Sequence, residues 1–108
     1  MVFKVDFSEL AAEDLAEIIR YIRDELYNPQ AAERFYKAIN EKRGLLRENP
    51  FMFSLYHDKK LSAEGYRYAV IGKFLMFYLV DTGKSVVTIA RILYGKRDIP
   101  SIFEESSS

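Results

Sequence analysis

Apolar positions divide the chain into two regimes. Val2-Phe3-Lys4-Val5-Asp6-Phe7 alternates well enough to predict a short strand over residues 2–7. Ser8 follows as a helix N-cap, with Glu9 placed favourably in the first turn. Leu10, Leu15, Ile18, Ile19, Ile22 and Leu26 then recur at the intervals of one buried helical stripe, with the acids, Arg20 and Arg23 largely on the other face. Asn28-Pro29 stops that helix and starts another, since Asn can cap and Pro suits the first helical position. Ala32, Phe35, Tyr36, Ile39 and Leu46 supply the second stripe, and Asn49-Pro50 ends it. Two helices joined by so short a link must fold back as a hairpin.

Residues 51–65 lack a period. Phe51, Phe53, Leu55 and Tyr56 are expected to plug the gap between helix and sheet, and His57-Asp58-Lys59-Lys60 and Ser62-Ala63-Glu64-Gly65 read as loop. From Tyr66 the pattern is β. Tyr66–Ile71 is one strand, and Gly72-Lys73 is a two-residue connection with glycine first, as a type II′ turn requires. Phe74–Val80 is apolar on both faces, which predicts an interior strand covered on both sides. Asp81-Thr82-Gly83-Lys84 turns the chain into Val86–Tyr94, rich in β-branched residues. Pro100 and the serines at 106–108 predict a short, weakly held tail. The sum is an α+β fold: an N-terminal strand and an antiparallel helical hairpin, packed on an antiparallel sheet that a C-terminal three-stranded meander completes. One domain over 1–103 and a flexible tail over 104–108 are expected.

Composition narrows the function classes. The 108 residues contain no cysteine and one histidine, so a disulfide framework, a thiolate nucleophile and the usual zinc sites are not expected, nor is any other metal or cofactor. The longest apolar run, Phe74–Val80, is far short of the ~20 residues of a membrane helix. Met1 leads into a Lys4-containing strand rather than an apolar leader core, so a cytoplasmic protein with no membrane partner is the expectation. A formal net charge of zero hides an asymmetry. Residues 1–26 carry three basic against seven acidic side chains, whereas residues 57–98 carry eight basic against four acidic ones. The second half could face RNA or an acidic protein surface, or its long cations could simply solvate a sheet.

No glycine-rich phosphate loop, nucleophile elbow or metal-protease motif is present. His57 beside Asp58 fits a solvated loop residue. What remains is a basic and aromatic set on or beside the sheet: Arg67, Lys73, Arg91, Tyr94, Lys96 and Arg97. Arg67 and Arg91 interrupt apolar strands, where a guanidinium costs desolvation unless it is paired or faces an open surface. A salt bridge to a helix acid such as Glu13 or Glu17 is one reading for both, and the favoured one for Arg91.

These segments resemble a known family. Ile18-Ile19-Arg20-Tyr21-Ile22-Arg23, with the restart Gln30-Ala31-Ala32-Glu33-Arg34-Phe35, looks like the helical hairpin of ParE-type toxins. Tyr66-Arg67-Tyr68, Phe77-Tyr78-Leu79-Val80-Asp81 and above all Ile92-Leu93-Tyr94-Gly95-Lys96-Arg97-Asp98 look like the sheet of the RelE/ParE toxin superfamily. The resemblance covers residues 1–103 and implies the toxin of a type II toxin–antitoxin system, neutralised by a cognate antitoxin that wraps over it. Plasmid stabilisation and growth inhibition belong to the same expectation. RelE-like members cut mRNA in the ribosome, and for them the match is incomplete. Arg97 matches the arginine after Gly-Lys, and Arg67 falls where the first of two strand lysines stands. The second lysine position is Ala69, the arginine after the first hairpin turn is replaced by Phe74, and the general-acid tyrosine by Phe103. Arg67, Arg97 and His57 are the catalytic candidates if the chain is a nuclease. The departures favour a ParE-like inhibitor that binds DNA gyrase, with Arg67, Arg91, Tyr94, Lys96 and Arg97 as partner-binding residues. The alternatives are a RelE-like ribosome-dependent endoribonuclease and a family member that binds its antitoxin without being toxic.

Overall fold

The computed structural model describes residues 2–106. Strand β1 (Lys4–Phe7) leads into α1 (Glu9–Arg20), which runs on through a wider π-helical turn, Tyr21–Glu25, before α2 (Pro29–Glu48). A short α3 (Lys59–Ala63) precedes strands β2 (Arg67–Ile71), β3 (Phe74–Asp81) and β4 (Val86–Tyr94), and α4 (Ile99–Ser106) closes the chain. The strand order is β1-β4-β3-β2. The meander β2-β3-β4 is antiparallel, but β1 runs parallel to β4, with Val5 opposite Val87, so the sheet is mixed at that edge. The helical hairpin causes this. It carries the chain from β1 across one face to the far strand β2, and the meander then returns to β1 in the same direction.

The caps hold the helices where the sequence puts them. Ser8 Oγ accepts from the Ala11 N–H at 3.0 Å, and Asn28 Oδ1 from the Ala31 N–H at 3.1 Å with Pro29 in the first turn. The buried stripes differ in part from the expected ones. Ala11 replaces Leu10 beneath α1, and Tyr36 and Leu26 are exposed. Residues 11, 15, 18 and 22 lie on one line of the helix, and the small Ala11 side chain lets α1 approach the sheet closely.

The sheet is covered on both faces, as Phe74–Val80 requires. Toward the hairpin, Phe74, Met76, Tyr78 and Val80 pack with Phe35, Ile39, Leu46, Val87 and Ile89. On the other side, Leu75 and Phe77 pack with Tyr56, Leu61, Leu93, Ile99, Ile102 and Phe103. A bulge beside Phe77/Tyr78 gives β4 one extra residue, Ala90. It returns Ile92 to the helical face, three positions after Ile89, and leaves the Arg91 guanidinium against α1.

Two segments expected to be irregular are helical. Asp58 Oδ2 caps α3 by accepting from the Leu61 N–H at 3.0 Å, so Asp58–Ala63 is not loop. The tail expected from Pro100 is α4. Asp98 accepts from Ser101 Oγ at 2.8 Å, and Pro100 stands in the first helical turn, where it favours the helix. Ser107 and Ser108 of the expected 104–108 tail lie outside the described residues. Of the aromatics at 51–56, Phe53 and Tyr56 are packed as expected, whereas Phe51 stays half exposed.

Candidate functional site

Strand β1 covers only the first half of the β4 edge, because Phe7 is its last residue, opposite Ile89. Beyond it α1 supplies the missing partners. Ser8 Oγ donates to the Ala90 carbonyl at 2.8 Å, and Asp14 Oδ2 accepts from the Ile92 N–H at 2.9 Å. Asp14 also takes the Arg91 guanidinium in a fork, Nε to Oδ2 at 2.8 Å and Nη2 to Oδ1 at 2.9 Å. The two side chains are only 14% and 13% exposed. The hydrogen bonds to Asp14 hold the Arg91 pKa above its ordinary value. The acid that pairs Arg91 is therefore Asp14, rather than Glu13 or Glu17.

Above this anchor, a groove of about 880 Å³ opens between the hairpin tip and the β2–β3 end of the sheet. Its floor is apolar: Ile18 and Ile22 from the hairpin, Phe35 from α2, Ile71 and Phe74 from the meander, and Ile92 from β4. Tyr21 and Leu26, both about half exposed, form one lip. They stand there because the π turn, closed by the Leu26 N–H to the Tyr21 carbonyl at 3.1 Å, widens the end of α1. Lys73, Tyr94 and Arg97 form the other lip.

Glycine explains that second lip. The Gly95 N–H donates to the Lys73 carbonyl at 2.9 Å, docking the 72–73 turn against the 95–98 turn. A Cβ at Gly95 would meet the Lys73 carbonyl oxygen at 3.3 Å. Gly72 has φ +59, while Lys73 is not among the residues with positive φ, the pattern of the expected type II′ turn. Arg97 is exposed, and its neighbour Asp98 is engaged by Ser101 rather than by Arg97.

The candidate residues are thus sorted by the fold. Tyr94 and Arg97 come together at the groove, Arg91 lies beside its floor in the ion pair, and Lys96 is exposed on the same turn. Arg67 is elsewhere. It pairs with Tyr78 and Tyr94 with Phe74, a four-residue separation along β3 or roughly 13 Å. The Arg67 guanidinium donates to the Phe53 carbonyl at 2.7 Å and lies 5.0 Å from the Phe51 ring centroid. The exposed His57 ring is tilted against Tyr56, at 4.2 Å between centroids, and Tyr56 belongs to the cluster behind the sheet. Arg67 alternates with Ala69 and Ile71 on the helical face, so His57, Arg67 and Arg97 do not converge. The positions that differ from the RelE-like pattern are packing residues. Ala69 is fully buried under the helices, Phe74 meets Phe35 edge-on at 5.2 Å, and Phe103 packs on Phe77 at 5.3 Å and Tyr66 at 4.8 Å. Asp14 and the π turn were not foreseen from the sequence. Asp14 is spaced like the other helix acids, and nothing local marks it as the one that meets β4.

Among the described residues no group of three or more acidic or histidine side chains is arranged to hold a metal, and no helix is long and apolar enough to cross a membrane.

This fold, a helical hairpin across one face of a β1-β4-β3-β2 sheet, is similar to that of solved ParDE, RelBE and RelE toxins. The chain is similar to a protein of the chromosomal ParDE toxin–antitoxin system of P. aeruginosa, with 20% identity, a TM-score of 0.67, and coverage of 86% of this chain and 96% of that one. It is similar to a chain of the RelBE2 toxin–antitoxin complex of Mycobacterium tuberculosis, with 19% identity, a TM-score of 0.63, and coverage of 87% and 99%. A mutant E. coli RelE toxin in the free state matches at 15% identity and a TM-score of 0.63 over 99% of this chain and 96% of that one. No curated protein matches by sequence. The profile of one family, the ParE toxin of the type II toxin–antitoxin system parDE, matches residues 5–99. The chain belongs to that family.

Proposed function

We propose that this toxin acts in the cytoplasm by binding a protein target, DNA gyrase, and not by cutting mRNA. In this reading residues 1–103 work as one unit, and a cognate antitoxin neutralises it by laying a segment into the groove beneath Tyr94 and Arg97. The observation that carries the reading is the packing of Phe103. At the position where a RelE-like enzyme would present a general acid, this chain has a ring without a hydroxyl, wedged against Phe77 and Tyr66. A nuclease needs a proton for the leaving oxygen and charge on the phosphate in one place. Arg67 is occupied by the Phe53 carbonyl, and the His57 ring lies against Tyr56 instead. An exposed, unpaired arginine on a rigid turn, beside an aromatic side chain, suits a protein contact instead. The neighbours that come from ParDE and RelBE systems support an antitoxin as the second partner.

The test sets two assays side by side with purified protein: supercoiling by gyrase, and cleavage of mRNA on translating ribosomes. The reading requires inhibition of supercoiling and no cleavage. Cleavage at the ribosomal A site, abolished by Arg97→Ala, would establish the endoribonuclease instead.

A further inference from the structure

At the hairpin tip, sequence and structure favour different registers. The stripe Leu15, Ile18, Ile19 and Ile22 continues to Leu26 at ordinary α-helical spacing, which would carry Leu26 into the hairpin's apolar interior. Leu26 is instead about half exposed on the groove lip, because the turn Tyr21–Glu25 is π-helical and takes in about one residue more than an α turn. Two α turns from Ile18 reach Glu25, whereas one α turn and one π turn reach Leu26. The extra residue thus decides which side chain stands in line with Ile18 at the rim, and Leu26 lines the groove while Glu25 does not. The π register is weakly held. Tyr27, which ends it, sits at φ +51, a left-handed conformation that disfavours any residue with a Cβ. The closing bonds are Leu26 N–H to the Tyr21 carbonyl and Asn28 N–H to the Ile22 carbonyl, both at 3.1 Å. Every residue from Arg23 to Gln30 is exposed, and the fork from Arg23 to Asp24, at 2.8 and 3.0 Å, is a surface pair that contributes little. Exposed backbone bonds with few buried contacts mark a segment that rearranges at low free energy.

We propose that the hairpin tip is a two-register gate on the groove. In the observed π register Leu26 forms the lip, and an apolar rim frames the apolar floor. In the α register the Leu26 N–H passes from the Tyr21 carbonyl to the Ile22 carbonyl, and Leu26 turns inward to extend the stripe of Ile19 and Ile22. Glu25 then comes into line with Ile18 above the floor, and Tyr27 leaves its left-handed conformation as the spare residue joins the link before Pro29. The two registers present different rims. The apolar one suits an apolar occupant, and the carboxylate one opposes it, since a charge beside an apolar contact must be desolvated. An occupant that touches Leu26 selects the π register, and a shift of the balance toward the α register weakens its binding in proportion. The gate is a property of the free chain and holds whichever target the toxin binds.

The experiment is NMR exchange spectroscopy on the whole protein and two variants at exposed positions, which should fold like the parent. Backbone amides from Tyr21 to Asn28 should show microsecond-to-millisecond relaxation dispersion, reporting a minor state populated at roughly 1–10%. Saturation-transfer spectra should give that state a helical Cα shift at Leu26. Tyr27→Gly relieves the left-handed strain of the π register and should lower the minor population about tenfold. Glu25→Leu places an apolar side chain in line with Ile18 in the α register alone, and should raise the minor population severalfold. Opposite responses to the two variants support the gate. Flat dispersion across the tip in both the parent and Glu25→Leu overturns it. A minor state with a random-coil shift at Leu26, or one that Glu25→Leu does not raise, shows fraying of the tip and overturns it as well. Each of these results leaves the proposed target to the supercoiling and cleavage assays.

Discussion

Asp14→Ala removes the carboxylate that accepts from three donors: Arg91 Nε, Arg91 Nη2 and the Ile92 N–H. Breaking a buried ion pair by deleting one partner costs about 3–5 kcal/mol, because the other charge stays behind. At 14% and 13% exposure this pair is not fully desolvated, so the low end, about 3 kcal/mol, applies. An orphaned backbone N–H at a covered strand edge adds about 1 kcal/mol. The expected loss of about 4 kcal/mol is a large share of the ~5–15 kcal/mol that holds a domain of this size together. It corresponds to a fall in melting temperature of roughly 20 °C. Asp14→Asn keeps an acceptor for Ile92 and should lose about half as much. Leucine at both 14 and 91 removes the stranded charge, and should be more stable than Asp14→Ala despite the extra substitution. Urea denaturation of Asp14→Leu, Arg91→Leu and the double variant measures the coupling, which should exceed about 2 kcal/mol. Additive single effects, or a loss below about 1 kcal/mol for Asp14→Ala, would refute the idea that this carboxylate stands in for the missing strand.

Burial raises the Tyr78 hydroxyl to about 12, from the ordinary 10.0. Its hydroxyl donates to the Pro50 carbonyl at 2.8 Å, so the neutral form is favoured in the folded state and its stabilisation holds below pH 10. Stability should fall between about pH 10 and pH 12, less steeply in Tyr78→Phe; urea midpoints across that range check the slope. Tyr27 is held at φ +51 with 87% of its surface exposed, so Tyr27→Gly should leave the melting temperature unchanged or raise stability by up to about 1 kcal/mol. A clear loss would mean that the Tyr27 ring packs in solution. Gly95→Ala puts a methyl group against the Lys73 carbonyl, and should cost about 1 kcal/mol while moving Lys73 away from Arg97; reduced antitoxin affinity in calorimetry would report that shift.

The fold was largely legible because its signals are local. Ser8 and Asn28-Pro29 mark the helix starts, Gly72 marks the turn, and the unbroken run Phe74–Val80 announces a strand with two covered faces. What the pattern could not carry was relative placement. Leu10 and Ala11 both fit a helical stripe, and only the closeness of the sheet selects the smaller one. The parallel β1–β4 pairing depends on where the hairpin delivers the chain, which no local period encodes. Pro100 has the same chemistry at a helix start as in an open tail, and the deciding partner, the cluster around Phe77 and Tyr66, lies far away in sequence. The site was legible at Tyr94-Gly95-Lys96-Arg97, where the glycine's close approach leaves a trace in the sequence. It was not legible at Asp14, whose role as the acceptor at the β4 edge comes from the strand it faces.

In the proposed function toxicity resides in an exposed contact surface with Arg97 at its head. The direct measurement is expression of Arg97→Ala in a growth assay, with the melting temperature of the purified variant followed in parallel. An arginine lost from a desolvated protein contact costs about 2 kcal/mol or more of binding, whereas the same residue free on a turn contributes little to folding. Growth should therefore recover while the melting temperature stays within about 2 °C of the parent. Undiminished toxicity, or recovery accompanied by a large fall in melting temperature, would contradict the account.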